Sequence, residues 1–205
     1  MNTNITALEP SQVRDTNRMD IRKLYSLNFF NDIKTTFYFT DINDPSLKQK
    51  LEWVSEGMEG KRMALDLEWK AFSKTRNDQK ASLFQIGTNE RAVIIRYVEQ
   101  DSLGTQHEVL RNFLLSHKFI GKGISCDLKK LSERFNADFS TILYDFEYMY
   151  MRRYDNCASF IRMIEIYAGT PTAMFKDKKV TISNWNAPTL SYKQVLYSTF
   201  DVVGL

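Results

Sequence analysis

The sequence has little cysteine and histidine, and this limits the kinds of site that it can build. Its two cysteines, Cys126 and Cys157, form no Cys-x-x-Cys pair. Its two histidines, His107 and His117, form no cluster of metal-ligating residues with them. This composition argues against a structural zinc site and against a disulfide framework. Free thiols are typical of a reducing compartment, so we expect a location in the nucleus or the cytoplasm.

Long apolar runs are also missing. No stretch approaches the roughly 18–20 apolar residues that a membrane helix needs, and the polar start differs from a signal or transit peptide. Hydrophobic residues make up 43% of the 205 residues, which is enough for a sizeable core and predicts a soluble globular protein. The net charge of +3 is too small to indicate a nucleic-acid partner by itself.

Hydrophobic periodicity and turn residues predict a mixture of strands and helices. We expect a disordered segment at residues 1–19 and a lysine-rich loop at residues 175–182. Strands are predicted at residues 35–40, 63–69, 81–88, 91–98, 118–121 and 141–144. Helices are predicted at residues 20–33, 46–56, 106–116 and 157–168, and two more begin near residues 125 and 191. Ser191 is expected to cap the last helix. The hairpins formed by successive strands predict a mostly antiparallel start, unlike a Rossmann fold.

Residues 63–69 (MALDLEW) predict a central strand, yet this strand contains two acids. Asp66 and Glu68 are two positions apart, so their side chains project from the same face of the sheet. Two adjacent carboxylates in a buried strand repel each other and need cations, protonation or a divalent metal for compensation. The alternative is a half-exposed strand whose acids meet nearby lysine or arginine side chains.

Two other segments place acids at informative positions. Asp127 lies in the first turn of the helix that begins near residue 125, where the helix dipole favours a carboxylate. A simple capping acid is the alternative. Tyr197 and Asp201 are four residues apart on the last predicted helix, so they share one helix face. A plain surface pair would have the same spacing.

Taken together, these segments resemble the DEDD superfamily of 3′-to-5′ exonucleases. The first motif is similar to ALDLEW with ASLFQIG downstream, the second to FIGKGISCDLKKL, and the third to SNW followed by QVLYSTFD. The tyrosine in the third motif resembles the branch that includes ribonuclease D and the Werner-type exonuclease domain, and the loop FKDKKVTISNW is most similar to the Werner-type domain. The resemblance covers residues 35–205, so we expect an exonuclease domain there. Residues 1–34 are then an N-terminal extension, partly disordered and then helical.

The resemblance implies an α/β protein with the ribonuclease H-like 3′-5′ exonuclease fold, in which helices flank a mixed central sheet. It also implies residue roles. Asp66 matches the acid that bridges two metal ions, and Glu68 and Asp201 match the acids that complete the site of the nucleophile-binding ion. Asp127 matches the acid that helps to hold the second ion. Tyr197 matches the residue that orients the attacking water, a position where the sister branch has a histidine.

The resemblance further implies that such a site hydrolyses phosphodiester bonds of DNA or RNA from the 3′ end and releases nucleoside 5′-monophosphates. Two divalent ions about 3.5–4 Å apart suit this chemistry because together they neutralise the charge that develops at the phosphorus centre. Carboxylate oxygens are hard ligands, so the expected ions are Mg²⁺ or Mn²⁺. The alternative function is a non-catalytic nucleic-acid-binding or scaffold module that keeps the exonuclease fold.

Substrate contacts are expected from residues beside the motifs. Leu67 and Trp69 are placed to wedge against or stack on the terminal base, and the alternative for both is a place in the core. Lys178 is placed to meet a phosphate. Asn184 and Trp185 either contact the substrate or support the last helix. The expected partner is a nucleic acid with a free 3′ end, and because no helicase or additional nucleic-acid-binding domain is present, a targeting protein partner is expected too.

Overall fold

The computed structural model describes residues 5–7, 19–30, 33–70, 80–97, 104–148 and 177–204. These residues include eight strands and five helices. The strands are β1 (Ile5–Ala7), β2 (Lys23–Phe30), β3 (Ile33–Asp41), β4 (Arg62–Glu68), β5 (Leu83–Gly87), β6 (Arg91–Arg96), β7 (Lys118–Gly121) and β8 (Leu143–Asp145). The helices are α1 (Leu47–Ser55), α2 (Thr105–Ser116), α3 (Ser125–Phe135), α4 (Lys178–Thr181) and α5 (Tyr192–Val203). The helix predicted at residues 157–168 lies outside the described residues.

All eight strands belong to one mixed sheet with the order β1-β2-β3-β6-β5-β4-β7-β8. Its centre, β6-β5-β4, is antiparallel, while β7 runs parallel to β4 and β8 runs parallel to β7. On the other side, β3 runs parallel to β6 and forms an antiparallel hairpin with β2. The predicted α/β architecture with a mixed sheet is therefore confirmed, including its antiparallel start.

Two apolar clusters cover the two faces of this sheet. One contains Ala64 of β4 and packs against α5, with Phe200 fully buried in it. The other contains Leu65 and Leu67 of β4 and packs against α1, α2 and α3. Because side chains alternate along a strand, the acids at positions 66 and 68 project to the same side as Ala64, towards α5. The position of α5 therefore decides what these acids meet.

The described part of residues 20–33 does not form the predicted helix. Residues 23–30 form β2, and Ile33 begins β3. Tyr25 and Leu27 of β2 are buried in the cluster that packs on α5, and β2 pairs with both β1 and β3. The apolar spacing suits either element, and the neighbouring aromatic strand β3 supplies the pairing partner that favours a strand.

Two smaller predictions also need correction. Ile5–Ala7 lies in the segment predicted to be disordered, yet it pairs in parallel with β2. Part of the predicted lysine-rich loop forms α4, because the Asp177 side chain accepts a hydrogen bond from the Lys179 amide at 2.9 Å and caps this short helix. The predicted boundary between residues 34 and 35 falls inside β3. The division into an extension and a domain stays a prediction.

A buried ion pair joins the turn after β3 to α1 on the sheet face away from α5. The Asp44 carboxylate, 2% exposed, accepts hydrogen bonds from the Lys50 ammonium group and the Thr40 hydroxyl. Its other oxygen accepts the Ser46 amide at 2.8 Å and the Ser46 hydroxyl at 2.7 Å. The chain itself thus satisfies both oxygens of this carboxylate.

Among the described residues, no helix combines the length and the apolar character that a membrane crossing would require.

Candidate active site

The two acids of β4 meet a third acid from α5. One carboxylate oxygen from each of Asp66, Glu68 and Asp201 lies within 4.8 Å of the others. Asp66 and Glu68 are partly exposed, whereas Asp201 is 4% exposed. The predicted convergence of strand and helix acids is therefore present in the structure. Carboxylate oxygens this close together repel each other unless a cation lies between them.

Local sequence and close packing place α5 beside these strands. The Ser191 hydroxyl accepts a hydrogen bond from the Gln194 backbone N–H at 3.3 Å, and Oε1 of Gln194 accepts one from the Ser191 backbone N–H at 2.9 Å. Together these two bonds form a capping box. Ser191 therefore caps the helix as predicted. Near the other end, a Cβ on Gly87 of β5 would lie 2.8 Å from the Val202 side chain. Glycine at this position lets α5 approach the sheet closely, which brings Asp201 to β4.

Asp127 lies in the first turn of α3, as predicted, and is 6% exposed. Burial raises the pKa of the Asp127 carboxyl, and the nearby charge of Asp66 makes the second-largest contribution. The pKa reaches about 8. Hydrogen bonds from the backbone, including one from Leu67, oppose this shift. Among the described residues, no group hydrogen-bonds to Oδ1 of Asp127. Such a buried oxygen fits a carboxylate that receives a cation.

The turn before α3 aims Asp127 at β4. A Cβ on Gly121 would lie 2.8 Å from the Leu65 carbonyl oxygen, and Gly123 has a φ of 66°. Both positions therefore favour glycine. The Asp145 carboxylate accepts the Gly123 and Ile124 amides, each at 3.3 Å. Sequence reasoning missed this supporting role of Asp145, although an acid at the end of a predicted strand was a visible signal.

Tyr197 is 6% exposed and is supported by the segment before α5. The Thr181 hydroxyl donates a hydrogen bond to the Tyr197 phenol oxygen at 3.0 Å. The Trp185 indole N–H donates to the Thr181 carbonyl oxygen at 3.2 Å, and its ring lies 6.0 Å from the Tyr197 ring, between centroids. As predicted from their spacing, Tyr197 and Asp201 share one helix face. Sequence reasoning did not identify Thr181.

The predicted substrate contacts separate into buried and accessible residues. Leu67 and Trp185 are 3% and 1% exposed and lie in the two apolar clusters, which agrees with the packing alternatives. Trp69 is partly exposed, and the Lys130 ammonium group lies 5.3 Å from its ring centroid. Asn184 and Lys178 are exposed. Only Trp69, Asn184 and Lys178 of this set present a surface to a ligand.

Two buried polar residues near the site were not assigned a role from the sequence. Arg96, 7% exposed, donates to the Ala187 carbonyl oxygen at 2.6 Å and so fastens the loop between α4 and α5 to the end of β6. Gln85 is fully buried in β5 and lies opposite Asp66. A charged or amide residue inside an apolar strand pattern is the signal that identifies both.

The donor set fits divalent metal ions. Asp66, Glu68, Asp127 and Asp201 offer only carboxylate oxygens, which are ligands for hard ions such as Mg²⁺ and Mn²⁺. Three of these carboxylates lie close together, and Oδ1 of the fourth is buried without a hydrogen bond from any described residue; both features suit a bound cation. This acidic cluster therefore fits a metal site.

The fold and the site together define the class of protein. A mixed sheet has an antiparallel centre and helices on both faces, and acids at the end of its central strand β4 meet acids from two helices. This is the ribonuclease H-like fold of exonucleases. A family model described as 3′-5′ exonuclease matches residues 46–205. The protein therefore belongs to the 3′-5′ exonuclease domain family.

Solved structures support the fold. Escherichia coli RNase D matches with a TM-score of 0.62 and 22% identity, over 78% of this chain and 40% of that chain. The Aedes aegypti Nibbler EXO domain matches with a TM-score of 0.59 and 16% identity, over 75% of this chain and 77% of that one. Brucella melitensis NrnC, solved bound to pGG, gives a TM-score of 0.52 and 19% identity, over 69% and 66% of the two chains. No curated protein matches the sequence.

Proposed function

We propose that this protein is a metal-dependent 3′-5′ exonuclease of the tyrosine branch. It hydrolyses phosphodiester bonds of DNA or RNA from the 3′ end and releases nucleoside 5′-monophosphates. The observation that carries the proposal is the approach of the Asp66, Glu68 and Asp201 carboxylates within 4.8 Å, from two different elements. Membership of the 3′-5′ exonuclease family supports it, as does the likeness of the fold to RNase D, of whose length this chain spans 40%.

The proposed cofactors are two divalent ions, Mg²⁺ or Mn²⁺. When bound, they supply the positive charge that favours deprotonation of the attacking water and stabilises the leaving 3′ oxygen. Asp66, Glu68 and Asp201 would hold one ion, and Asp66 with Asp127 would hold the other. Two divalent ions also add four positive charges to a chain whose formal net charge is +3, which favours a polyanionic substrate.

Tyr197 is proposed to orient the attacking water. A phenol with a pKa of about 10 is a poor base at neutral pH, so its contribution is geometric. The hydrogen bond from Thr181 and the packing of Trp185 support this role, because together they restrict the position of the phenol oxygen. Replacing Tyr197 with Phe should lower kcat by about 100-fold while leaving KM and metal affinity near their wild-type values. An unchanged kcat would remove Tyr197 from the mechanism and with it the assignment to the tyrosine branch.

The proposed partner is a nucleic acid with a free 3′ end. Lys178 and Trp69 are accessible, and they are proposed to contact a phosphate and a base, respectively. Asn184 is proposed to border the same path. A separate targeting protein and a location in the nucleus or the cytoplasm complete this proposal.

Digestion of matched 5′-labelled strands tests the function directly. DNA and RNA, single-stranded and duplex, would be incubated with Mg²⁺, Mn²⁺ or chelator. We expect a ladder that shortens from the 3′ end, and the preferred strand names the substrate. Chelator should abolish the ladder because it removes the divalent ions that are proposed to neutralise the developing phosphate charge.

Variants identify the residues responsible. Asp66→Ala and Asp201→Ala should each abolish digestion, while Glu52→Ala, an exposed acid on α1, should digest as the wild type does. If folded wild-type protein binds Mn²⁺ but cuts none of the strands, the enzyme is excluded and a nucleic-acid-binding or scaffold module becomes the explanation.

A further inference from the structure

Gln85 is a buried polar residue beside the acidic site. It lies in the middle of β5, where all five residues are buried, and none of its surface is exposed. In the antiparallel pairing of β4 with β5 it lies directly opposite Asp66, so both side chains project from the same face of the sheet. Burial of an amide group is costly unless its hydrogen bonds are formed. Its partners therefore explain why an amide is tolerated here.

The surroundings of Gln85 determine how its amide is oriented. In one orientation the amide nitrogen lies 3.1 Å from Oδ2 of Asp66 and 3.1 Å from the Ser198 carbonyl oxygen, and it donates to both. The opposite orientation would direct the amide oxygen at these two acceptors, which is unfavourable. The two hydrogens of one amide group thus match the two acceptors.

These two bonds connect the elements that carry the acids. Asp66 belongs to β4, whereas Ser198 belongs to α5 and lies three residues before Asp201. We infer that Gln85 is a positioning residue, which orients the Asp66 carboxylate for metal binding and sets its spacing from α5. This inference rests on the proposed function.

An uncharged donor suits this position better than a cation. Lysine or arginine at residue 85 would neutralise Asp66 and repel a divalent ion, whereas an amide supports the carboxylate and leaves its negative charge for the metal. Gln85 therefore stabilises the Asp66 carboxylate without competing for its charge.

Calorimetric titration of the folded protein with Mn²⁺ tests the inference without relying on activity. In Gln85→Met the side chain keeps its approximate volume but loses both hydrogen bonds, so we expect Mn²⁺ affinity to fall by about 10-fold or more. Ile86→Val is the matched control, because Ile86 is the next residue of β5 and packs in the opposite apolar cluster. This control should bind Mn²⁺ with wild-type affinity.

A double-mutant comparison shows whether Gln85 acts through Asp66. Combined with Asp66→Asn, Gln85→Met should reduce Mn²⁺ affinity by much less than 10-fold further, because the carboxylate that it orients is already changed. Gln85→Asn, whose shorter side chain cannot reach both partners, replaces Gln85→Met if the latter does not fold.

The possible results separate the inference from the proposed function. If wild-type protein binds no Mn²⁺, the proposed metal site fails and the inference fails with it. If wild type binds Mn²⁺ and the folded Gln85 variants bind it equally well, only the positioning role is overturned. If neither Gln85 variant folds while Ile86→Val does, Gln85 is a requirement of the fold and the positioning role is rejected.

Discussion

Two regions of this protein contain buried carboxyl groups, and their surroundings shift the pKa of these groups in opposite directions. At Asp44, burial raises the carboxyl pKa, but hydrogen bonds from Lys50, Thr40 and Ser46 outweigh this effect and hold the pKa well below its usual range. At Asp127, burial and the charge of Asp66 raise the pKa to about 8. The side chains of both residues are almost completely buried. The difference lies in what surrounds them.

This difference distinguishes a structural acid from a ligand-binding acid. Lys50 lies against Asp44, so the pair is complete within the chain. At the candidate active site, the carboxylates face one another. Carboxylates that lie this close together repel one another, and such an arrangement is expected where a bound cation completes the site. Removing a carboxylate should therefore lower the catalytic rate at the candidate active site and leave this rate unchanged at Asp44.

The largest effect should follow removal of a charge from the active site. Asp66→Asn or Asp201→Asn keeps the side-chain shape but removes a metal ligand, and we expect kcat to fall by about 1,000-fold or more. Digestion rates on a labelled single strand with Mg²⁺ measure the loss. Asp44→Asn, the matched change at the structural acid, should leave the rate of the folded protein unchanged. A substantial loss of rate there would remove the distinction between the two regions.

The next largest effect concerns stability. Lys50→Met leaves Asp44 buried without its cation, so the free energy of unfolding should fall by about 3–5 kcal/mol. Urea denaturation measures this change. Lys48→Met alters an exposed lysine on the same helix, whose side chain is 69% exposed, and should cost less than about 1 kcal/mol. Adding Asp44→Asn to Lys50→Met should recover part of the loss, and no recovery would contradict an uncompensated charge as its cause.

Metal binding at the candidate active site should stabilise the folded protein, but it should not restore the stability lost when Asp44 loses Lys50. At a concentration 100 times its dissociation constant, Mn²⁺ should stabilise the wild type by about 2.7 kcal/mol, because it binds only the folded state. Thermal melting with and without chelator measures the shift. Lys50→Met should show the same increase from its lower starting point. Asp201→Asn should show a much smaller one, and an equal increase in this variant would place the bound ion elsewhere.

The smallest expected effect is a change in pH dependence. In chelator, the folded state holds a proton on Asp127 up to about pH 8, while the unfolded state has lost it above about pH 4. Stability should therefore fall as pH rises, by at most about 2 kcal/mol between about pH 6.5 and about pH 8. Asp44 contributes nothing in this range because its carboxyl pKa is lowered.

Comparison with Asp127→Asn isolates the contribution of Asp127. This variant has no carboxyl group at residue 127, so its melting temperature should fall less than that of the wild type over the same range. Burial lowers the pKa of His107, and this effect is shared by both proteins and cancels in the difference. Equal slopes for the two proteins would show that Asp127 is already ionised without metal.

Local features of the site were predictable from the sequence. The alternation of Asp66 and Glu68 along β4, the position of Asp127 in the first turn of α3 and the shared face of Tyr197 and Asp201 all follow from the periodicity of one element. The bounds of β7 and the cap of α5 at Ser191 were also predicted from neighbouring residues alone. Spacing within one strand or helix depends on few residues, which is why it can be read directly.

The prediction failed where the local pattern allowed two structures. The apolar residues of β2 suit either a helix or a strand, and pairing with β1 and β3 decided between them. The supporting roles of Thr181, Asp145 and Gln85 were not predicted either. Each of these residues contacts a group far away in sequence, so its own segment contains no sign of its partner.

The sequence by itself determined the chemical character of the site: carboxylates and a tyrosine without cysteine or histidine, which selects hard divalent ions. Only the tertiary structure decided that the acids converge, because β4, α3 and α5 are brought together by the sheet order and by the close approach of α5 at Gly87. It also decided that Lys50 neutralises Asp44, whereas no described residue hydrogen-bonds to Oδ1 of Asp127. Charge compensation depends on distances between separate elements, and packing sets those distances.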